Sequence, residues 1–323
     1  MRSIIGRLLL FAAALAGLSI LVFAALRILP GDVAVVMAGA DAPASRVARL
    51  RAELGLDRSY VAQYLDWADG LLHGDLGSSA LTGQSITGRV ASRAAVTMPL
   101  ILMALAVAVA FGVPLGCACV LSRSRRVRGA LHMLAVVGGA VPALWSGLLL
   151  LLLFGRGVGL FGVLPSQGFP DAGWSGAPGE SFRALLLPAL AAGLVSGAGV
   201  MRHTRAALEE VCEVEGPVDM AMACGMTRAS ATLRVGLRLA LPRLVSVIGL
   251  TFATMVTGVM VVENLYALPG LGALLVGDVG QRDLTAVQSE LFLLAAFFLV
   301  MGLCVDLLHR LLDPRLANGE ELV

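Results

Sequence analysis

The sequence predicts an all-α integral membrane protein with about six transmembrane helices. Of the 323 residues, 58% are hydrophobic and only 14% are charged, and the mean hydropathy is +0.87. Soluble globular domains are about 45–50% apolar and about 25% charged. Six apolar runs are also present, and about 20 mostly apolar residues suffice for a helix to cross a hydrocarbon core of about 30 Å.

The six predicted spans follow in chain order. The first run follows Arg2 and Arg7, as in a signal peptide, but it exceeds the usual 7–15 apolar residues and no small-residue cleavage site follows. We therefore expect it to be retained as a helix. In the third run, Pro142 predicts a kink. The runs are 8–29, 98–121, 131–154, 185–201, 244–265 and 291–312.

The distribution of arginine predicts the orientation. Short loops rich in arginine face the cytoplasm, and this applies to residues 122–128 and to the stretch 202–243. With six spans, both termini then lie in the cytoplasm. Arg2, Arg7 and Arg315 agree with this orientation.

The segments on the outer side differ from each other. Residues 45–56 and 59–72 have helical spacing, which is typical of amphipathic surface helices and also of a docking face for an external partner. Residues 155–183 are rich in Gly, Pro and Ser and predict an irregular loop. We divide the chain into an N-terminal helix with an extracytoplasmic helical segment (1–97) and a five-helix core (98–323).

Composition excludes several kinds of chemistry. The sequence contains no lysine, so its 24 basic residues are all arginine. A Walker A loop requires lysine, and so does Schiff-base catalysis. The chain is therefore not expected to be an enzyme, and another polypeptide must hydrolyse any ATP. A net charge of +2 gives no reason to expect a nucleic-acid partner.

The five cysteines predict neither disulfides nor a metal site. Cys117 and Cys119 are two residues apart in an apolar run, so a helix places them on different faces. We expect both to be small buried side chains, and we predict no cofactor.

A short helix is expected in the cytoplasmic stretch 202–243. Gly216-Pro217 interrupts the preceding helix, Asp219 can cap a new one, and Gly225 can end it in a left-handed turn. Its side chains are small and apolar. Two interpretations remain open: a loop helix folded against its own chain, or a helix that docks in a groove of a motor subunit.

Glu263 is the most informative ionisable residue in the spans. Charge in or near the membrane is costly and often functional. The alternative, which we prefer, is that Glu263 lies at the interface, solvated or paired with an arginine.

Many short motifs along the chain together resemble the inner-membrane permeases of binding-protein-dependent ABC importers, in the dipeptide, oligopeptide and nickel branch. The family signature Glu-Ala-Ala-x-x-x-Gly corresponds to 219–225, where Asp219 and Met220 depart from it. Pro242 is displaced by one position from the branch pattern. The other matching motifs are Leu29-Pro30-Gly31-Asp32, Arg51-Ala52-Glu53-Leu54-Gly55-Leu56-Asp57, Gly74-Asp75-Leu76-Gly77, Val113-Pro114-Leu115-Gly116, Val262-Glu263-Asn264, Arg282-Asp283 and Leu312-Asp313-Pro314-Arg315.

The resemblance implies a fold, partners and site residues. It implies a type I importer-like permease in a prokaryotic inner membrane, paired with a second permease. Two ATPase subunits and an extracytoplasmic substrate-binding protein complete the assembly. Pro269, Gly270 and Gly272 would belong to an outer, gate-like element together with Glu263. The helix that couples to the ATPases would comprise Asp219, Met220, Ala221, Met222, Ala223, Cys224 and Gly225.

The implied substrate is a short peptide, with nickel or a metal chelate as the alternative. A gradient-driven secondary transporter is a competing class, but it should show charged residues inside several helices or inverted repeats, and neither stands out. A membrane enzyme is the third class, and no nucleophile–base pair supports it.

Overall fold

The computed structural model describes residues 2–28, 33–38, 42–53, 55–213 and 216–312. These residues are mostly helical, with two isolated β-bridges. A π-helical turn, Thr232–Gly236, immediately precedes the twelfth helix. The α-helices are α1 (Arg2–Ile28), α2 (Val33–Ala38), α3 (Ala44–Glu53), α4 (Tyr60–Leu72), α5 (Ile86–Leu121), α6 (Arg125–Ala140), α7 (Ala143–Phe154), α8 (Gly173–Gly176), α9 (Pro178–Glu213), α10 (Pro217–Ala223), α11 (Arg228–Ala231), α12 (Leu237–Leu265), α13 (Leu271–Gln281) and α14 (Leu284–Leu312).

Within the described ranges, five helices are long and apolar enough to cross a membrane, or six spans if α6 and α7 count as one. The expectation of about six spans is confirmed. The third span is not a kinked helix as predicted, because α6 and α7 are separate helices bent by 105°. Val141 and Pro142 are both extended, with ψ of 123° and 144°. Proline lacks an N–H and disfavours helical geometry in the residue before it, so the pair ends one helix and starts another.

The fourth predicted span is longer than expected. Helix α9 has 36 residues, which corresponds to about 54 Å at about 1.5 Å per residue. Since a hydrocarbon core is about 30 Å thick, α9 extends well beyond it. The irregular loop predicted for 155–183 is correct in its first part, but α8 and the start of α9 replace its end.

The two amphipathic helices after the first span are confirmed as α3 and α4. Ser59 caps α4, because its side chain accepts a hydrogen bond from the Ala62 N–H at 3.3 Å. Gly55 and Gly74 follow the two helices with φ of +65° and +76°, the left-handed region that glycine tolerates. The motif residues Leu29-Pro30-Gly31-Asp32, Leu54 and Asp313-Pro314-Arg315 lie outside the described ranges.

The described residues fall into two compact units. The first unit takes those of Met1–Val96 and Pro269–Val300, and the second takes those of Thr97–Leu268 and Met301–Val323. The division at residue 97 proposed above stays a prediction.

In the first unit, α1 and α4 pack together through aromatic side chains. The rings of Phe23 and Tyr64 lie 5.5 Å apart, centroid to centroid, and Trp67 meets Phe292 at 5.6 Å. The Trp67 indole N–H also donates a hydrogen bond to the Ser289 hydroxyl at 3.1 Å. The apolar face of α4 is thus used for packing within this unit.

In the second unit, α5 and α9 approach closely through small residues. Gly112 leaves no room for a side chain, because a Cβ there would lie 2.7 Å from the Gly197 carbonyl oxygen. A Cβ on Gly193 would lie 2.6 Å from the Ala104 carbonyl oxygen. Small residues in membrane helices allow such close backbone contact. Helix α9 also packs against α6, α7 and α12, which makes it the central helix of this unit.

Candidate functional site

The first candidate site is the short helix α10. Gly216 is its N-cap and Pro217 its first helical residue, which suits proline because the first N–H of a helix has no partner. Asp219 lies inside the first turn. The prediction that Asp219 caps the helix is therefore wrong, although its carboxylate is still placed where the helix dipole favours negative charge.

The end of α10 follows the sequence prediction. Cys224 is the C-cap, and Gly225 is left-handed with φ of +93°. The Gly225 N–H bonds to the Met222 carbonyl at 2.9 Å, and the Met226 N–H bonds to the Ala221 carbonyl at 3.1 Å. This is the paired pattern of a Schellman motif, and it fixes the direction in which the chain leaves α10.

Helix α10 presents one face outward and holds the other against the protein. The residues Asp219, Ala223, Cys224 and Gly225 are exposed, and Met220 is 70% exposed. Ala221 and Met222 are half-buried. An exposed face of small and flexible side chains is suited to a partner surface, because such side chains let another backbone approach closely.

Val218 is the buried anchor of α10, with 4% of its surface exposed. It lies beside Gly236 in the π-helical turn, and Leu208 of α9 borders the same glycine. Leu208 belongs to an apolar cluster with Cys117, Ala240 and Leu244. Through Val218, α10 therefore rests on the place where α5, α9 and α12 meet.

One ion pair joins the helices on either side of α10, and a second lies within α9. Arg243 of α12 pairs with Glu210 of α9, and Arg205 pairs with Glu209 one turn away at 2.8 Å. Arg205 also lies 3.1 Å from the His132 ring nitrogen Nδ1 on α6. Exposed pairs contribute little stability individually, but these contacts link three helices near the base of α10.

The second candidate site surrounds Glu263 near the end of α12. Its carboxylate is fully buried and accepts a hydrogen bond from the Thr97 hydroxyl at 2.5 Å. A solvated carboxylate at Glu263 is therefore excluded, while pairing with an arginine, the other part of the preferred expectation, stays a prediction. A buried carboxylate requires hydrogen-bonding partners to offset its desolvation, and Thr97 on α5 is one of them.

Tyr266 fixes the end of α12. It is buried, and its hydroxyl donates a hydrogen bond to the Gly147 carbonyl of α7 at 2.8 Å. The Gly168 N–H bonds to the Tyr266 carbonyl at 2.9 Å. Burial raises the pKa of the Tyr266 phenol above its ordinary value, because the charged phenolate is disfavoured away from water.

Pro269, Gly270 and Gly272 lie in the first unit, at the start of α13. Gly270 is the N-cap of this helix, and both Gly270 and Gly272 are buried. The predicted turn is thus the entry to a helix of 11 residues.

A buried ionic network in the first unit was missed at the sequence level. Arg89 of α5 donates through one nitrogen to both carboxylate oxygens of Asp278 on α13, at 2.6 and 2.8 Å. The Ser79 hydroxyl donates to Asp283 at 2.5 Å, and Asp283 caps α14 by accepting from the Ala286 N–H. Residues so distant in sequence show no pairing pattern, so nothing in the sequence could have assigned these partners.

The break between α6 and α7 borders a groove of about 390 Å³ in the second unit. Its walls are almost entirely apolar. Helices α5, α6, α7 and α9 line it with Phe111, Leu115, Leu134, Gly138, Val141, Ser146, Leu149, Leu150, Leu194, Val195, Gly197, Ala198 and Met201.

No cluster suited to metal chemistry is found in the part of the chain that the structure describes: no three His, Cys, Asp or Glu side chains are grouped to hold an ion. Cys117 and Cys119 are both buried and unpaired, in agreement with the prediction of small buried side chains.

The second unit combines apolar helices able to cross a membrane, one broken span, and an exposed short helix that rests on the junction of three helices. These features are those of a membrane transport component. Comparison with known proteins gives the family. Residues 108–318 match the model of the binding-protein-dependent transport system inner membrane component, and residues 1–85 match the N-terminal model of the same membrane component. The chain belongs to this family, and the resemblance found in its motifs is confirmed.

Similar proteins cover nearly the whole chain. One from Brucella abortus (strain 2308), provisionally named a peptide transport system permease protein, is 34% identical over 92% of this chain and 93% of its own. A protein of the same provisional name from Brucella melitensis is 34% identical over 92% of each chain. The glutathione transport system permease protein GsiC of Salmonella typhi is 32% identical over 96% of this chain and 97% of its own.

Proposed function

We propose that this chain is the permease subunit of an ATP-driven importer of short peptides. The exposed helix α10, resting on the junction of three helices through Val218, is the observation that carries the proposal. The printed names of the similar proteins, which refer to peptides and to the tripeptide glutathione, support the substrate class. ATP is hydrolysed by two partner subunits, since the sequence contains no lysine for a Walker A loop.

In this proposal α10 transmits force. The exposed residues 219–225 dock on an ATPase subunit, and closure of the ATPases displaces α10. Val218 passes the displacement to Leu208 of α9 and to the π-helical turn before α12. Because an ion pair joins α9 and α12, the two helices respond together. The path then alternates between outward-open and inward-open by movement of packed helices.

The assembly includes a second permease and an external binding protein. The second permease supplies the other half of the central path. Glu263, Pro269, Gly270 and Gly272 are the candidates for the outer gate-like element. Both termini and α10 face the cytoplasm. Reaction of the exposed Cys224 with an impermeant maleimide added outside intact cells would contradict this orientation.

The substitution Gly225→Val tests the coupling role. A β-branched residue is strongly disfavoured at φ of +93°, and the left-handed conformation costs L-residues about 1–2 kcal/mol. We expect about a tenfold loss of tripeptide uptake per ATP hydrolysed, measured in proteoliposomes that contain the full transporter.

The matched control is Gly157→Val. Gly157 is also left-handed, at φ of +79°, and like Gly225 it has open space around its Cβ position, but it lies far from α10 in the sequence. It should leave uptake per ATP unchanged. If Gly225→Val retains normal assembly and normal peptide-stimulated hydrolysis with full uptake, then α10 is not the coupling helix.

A further inference from the structure

A basic cleft of about 380 Å³ lies in the second unit, where the loop joining α5 to α6 meets the segment that follows α10. Two stretches that are distant in the sequence form its walls. Its lining residues are Val120, Leu121, Ser122, Arg123, Arg128, Thr227, Arg228 and Ala229.

Three arginines surround the cleft without an acidic side chain among its lining residues. Within the described ranges, none of these three forms an ion pair with a carboxylate. The nearby arginines at positions 205 and 243, in contrast, are paired with glutamates. Like charges repel where they converge, so the cleft is suited to an anion.

Besides the arginines, the cleft is lined by the hydroxyl side chains of Ser122 and Thr227 and by an apolar wall at the end of a spanning helix. Val120 and Leu121 are the last residues of α5, which is long and apolar enough to cross a membrane. The predicted span 98–121 ends at these two residues, so we expect them close to the lipid phosphates, just beyond the hydrocarbon. An apolar wall beside guanidinium groups fits a phospholipid, whose phosphate binds arginine strongly, better than it fits a free inorganic ion.

The arginines around the start of α6 divide into two groups. Arg123 in the preceding loop and Arg128 in α6 line the cleft, whereas Arg125 and Arg126 at the start of α6 do not. Membrane orientation depends on the number of positive charges in a loop and does not require their convergence. The convergence of Arg123 and Arg128 with Arg228 from a second segment therefore calls for a different explanation.

We propose that this cleft binds the headgroup of an anionic phospholipid. Arg123, Arg128 and Arg228 hold the phosphate, and the glycerol region lies against Val120 and Leu121. Because Arg228 follows Gly225 by three residues, the bound lipid also holds the chain where it leaves α10. This last consequence rests on the proposed function of α10, whereas lipid binding itself does not.

The test compares two double variants of the full chain with equal charge: Arg123→Ala/Arg128→Ala in the cleft, and Arg125→Ala/Arg126→Ala as the control. The purified chain is titrated with phosphatidylglycerol or phosphatidylcholine, and retained lipid is measured by native mass spectrometry. We expect the wild type and the control to prefer phosphatidylglycerol, and the cleft variant to bind it about tenfold to thirtyfold more weakly. Equal weakening in both variants, or no preference in the wild type, would overturn the proposal.

Further measurements distinguish a bound phospholipid from a free anion or a protein partner in the cleft. Inorganic phosphate alone should not displace the lipid at similar concentration, and full displacement would contradict the role of the apolar wall. If the cleft variant retains lipid but loses its ATPase partners, the cleft is a protein-docking site and the lipid proposal fails. Should the double variant misfold, Arg228→Ala, which changes the other wall, must still weaken lipid binding against the same control.

Discussion

In the first unit, helices from distant parts of the chain are joined by buried charges, whereas in the second unit α5 and α9 approach each other through glycines. Arg89 and Asp278 meet with side chains only 19% and 5% exposed. Gly112 and Gly193 instead remove side chains from the contact between α5 and α9. Directional bonds specify one arrangement, while close backbone packing permits small sliding movements. The unit that contains α10 is thus built with the contact type that tolerates movement.

The network of the first unit is also partly unsatisfied. Glu290 is 4% exposed, and one guanidinium nitrogen of Arg89, Nη1, has no hydrogen-bond partner in the described part of the chain. Glu290 interacts electrostatically with Asp278, Asp283 and Arg89. One guanidinium group near three carboxylates makes Arg89 essential to this network, because a buried charge without a partner is costly. The first unit should therefore be the more sensitive to loss of a single side chain.

The largest effect is expected from Arg89→Ala. Removing the guanidinium group leaves the buried Asp278 without its cationic partner, which costs about 3–5 kcal/mol. We expect a large fall in the free energy of unfolding, measured in mixed detergent micelles. Asp69→Ala is the control, since Asp69 lies in the same unit with its side chain 75% exposed, and it should change stability little. The comparison breaks down if Arg89→Ala and Asp69→Ala have equal effects.

An intermediate effect is expected from Gly193→Ala in the second unit. The new Cβ would lie 2.6 Å from the Ala104 carbonyl oxygen and 2.7 Å from the Val107 Cβ, so a backbone must move. Overpacking of this kind costs about 1–3 kcal/mol. The matched control is Gly199→Ala on the same helix, where nothing lies within 4 Å of the new atom. Equal unfolding free energies for the two variants would show that α5 and α9 do not depend on glycine contact.

The sequence was informative about the second unit and much less about the first. Ala104, Ala108, Gly112 and Gly116 recur every four residues, and this spacing of small residues is the signal for close helix packing that could have been found. The left-handed turn at Gly225 was predicted because only glycine readily adopts it. The pairing of Arg89 with Asp278 could not be predicted, since it depends on tertiary contact between distant segments.

Three further differences from the sequence predictions have physical causes. At the start of α10, Gly216 and Pro217 define the helix start before Asp219 can cap it. At Pro142, the sequence allows either a kink or a full break, and the 105° bend depends on packing around the proline. Burial of Glu263 against Thr97 likewise depends on a helix from another part of the chain.

The smallest effect is expected from Tyr266→Phe, which removes one directional bond from the unit otherwise held by close packing. Loss of the hydrogen bond to the Gly147 carbonyl should cost about 0.5–1.5 kcal/mol, because the ring still fills its site. Tyr60→Phe is the control, since Tyr60 is 68% exposed.

The pH dependence of the unfolding free energy provides a second test of the role of Tyr266. Burial raises the pKa of Tyr266 above its ordinary value of 10.0, so its contribution to stability is fully present below pH 10 and is lost as the pH rises toward the folded-state pKa. The wild type should therefore lose unfolding free energy above about pH 10 faster than Tyr266→Phe, with the two curves converging. Parallel curves for the two proteins would show that the phenol is not buried as a neutral donor, and that the end of α12 is held by packing alone.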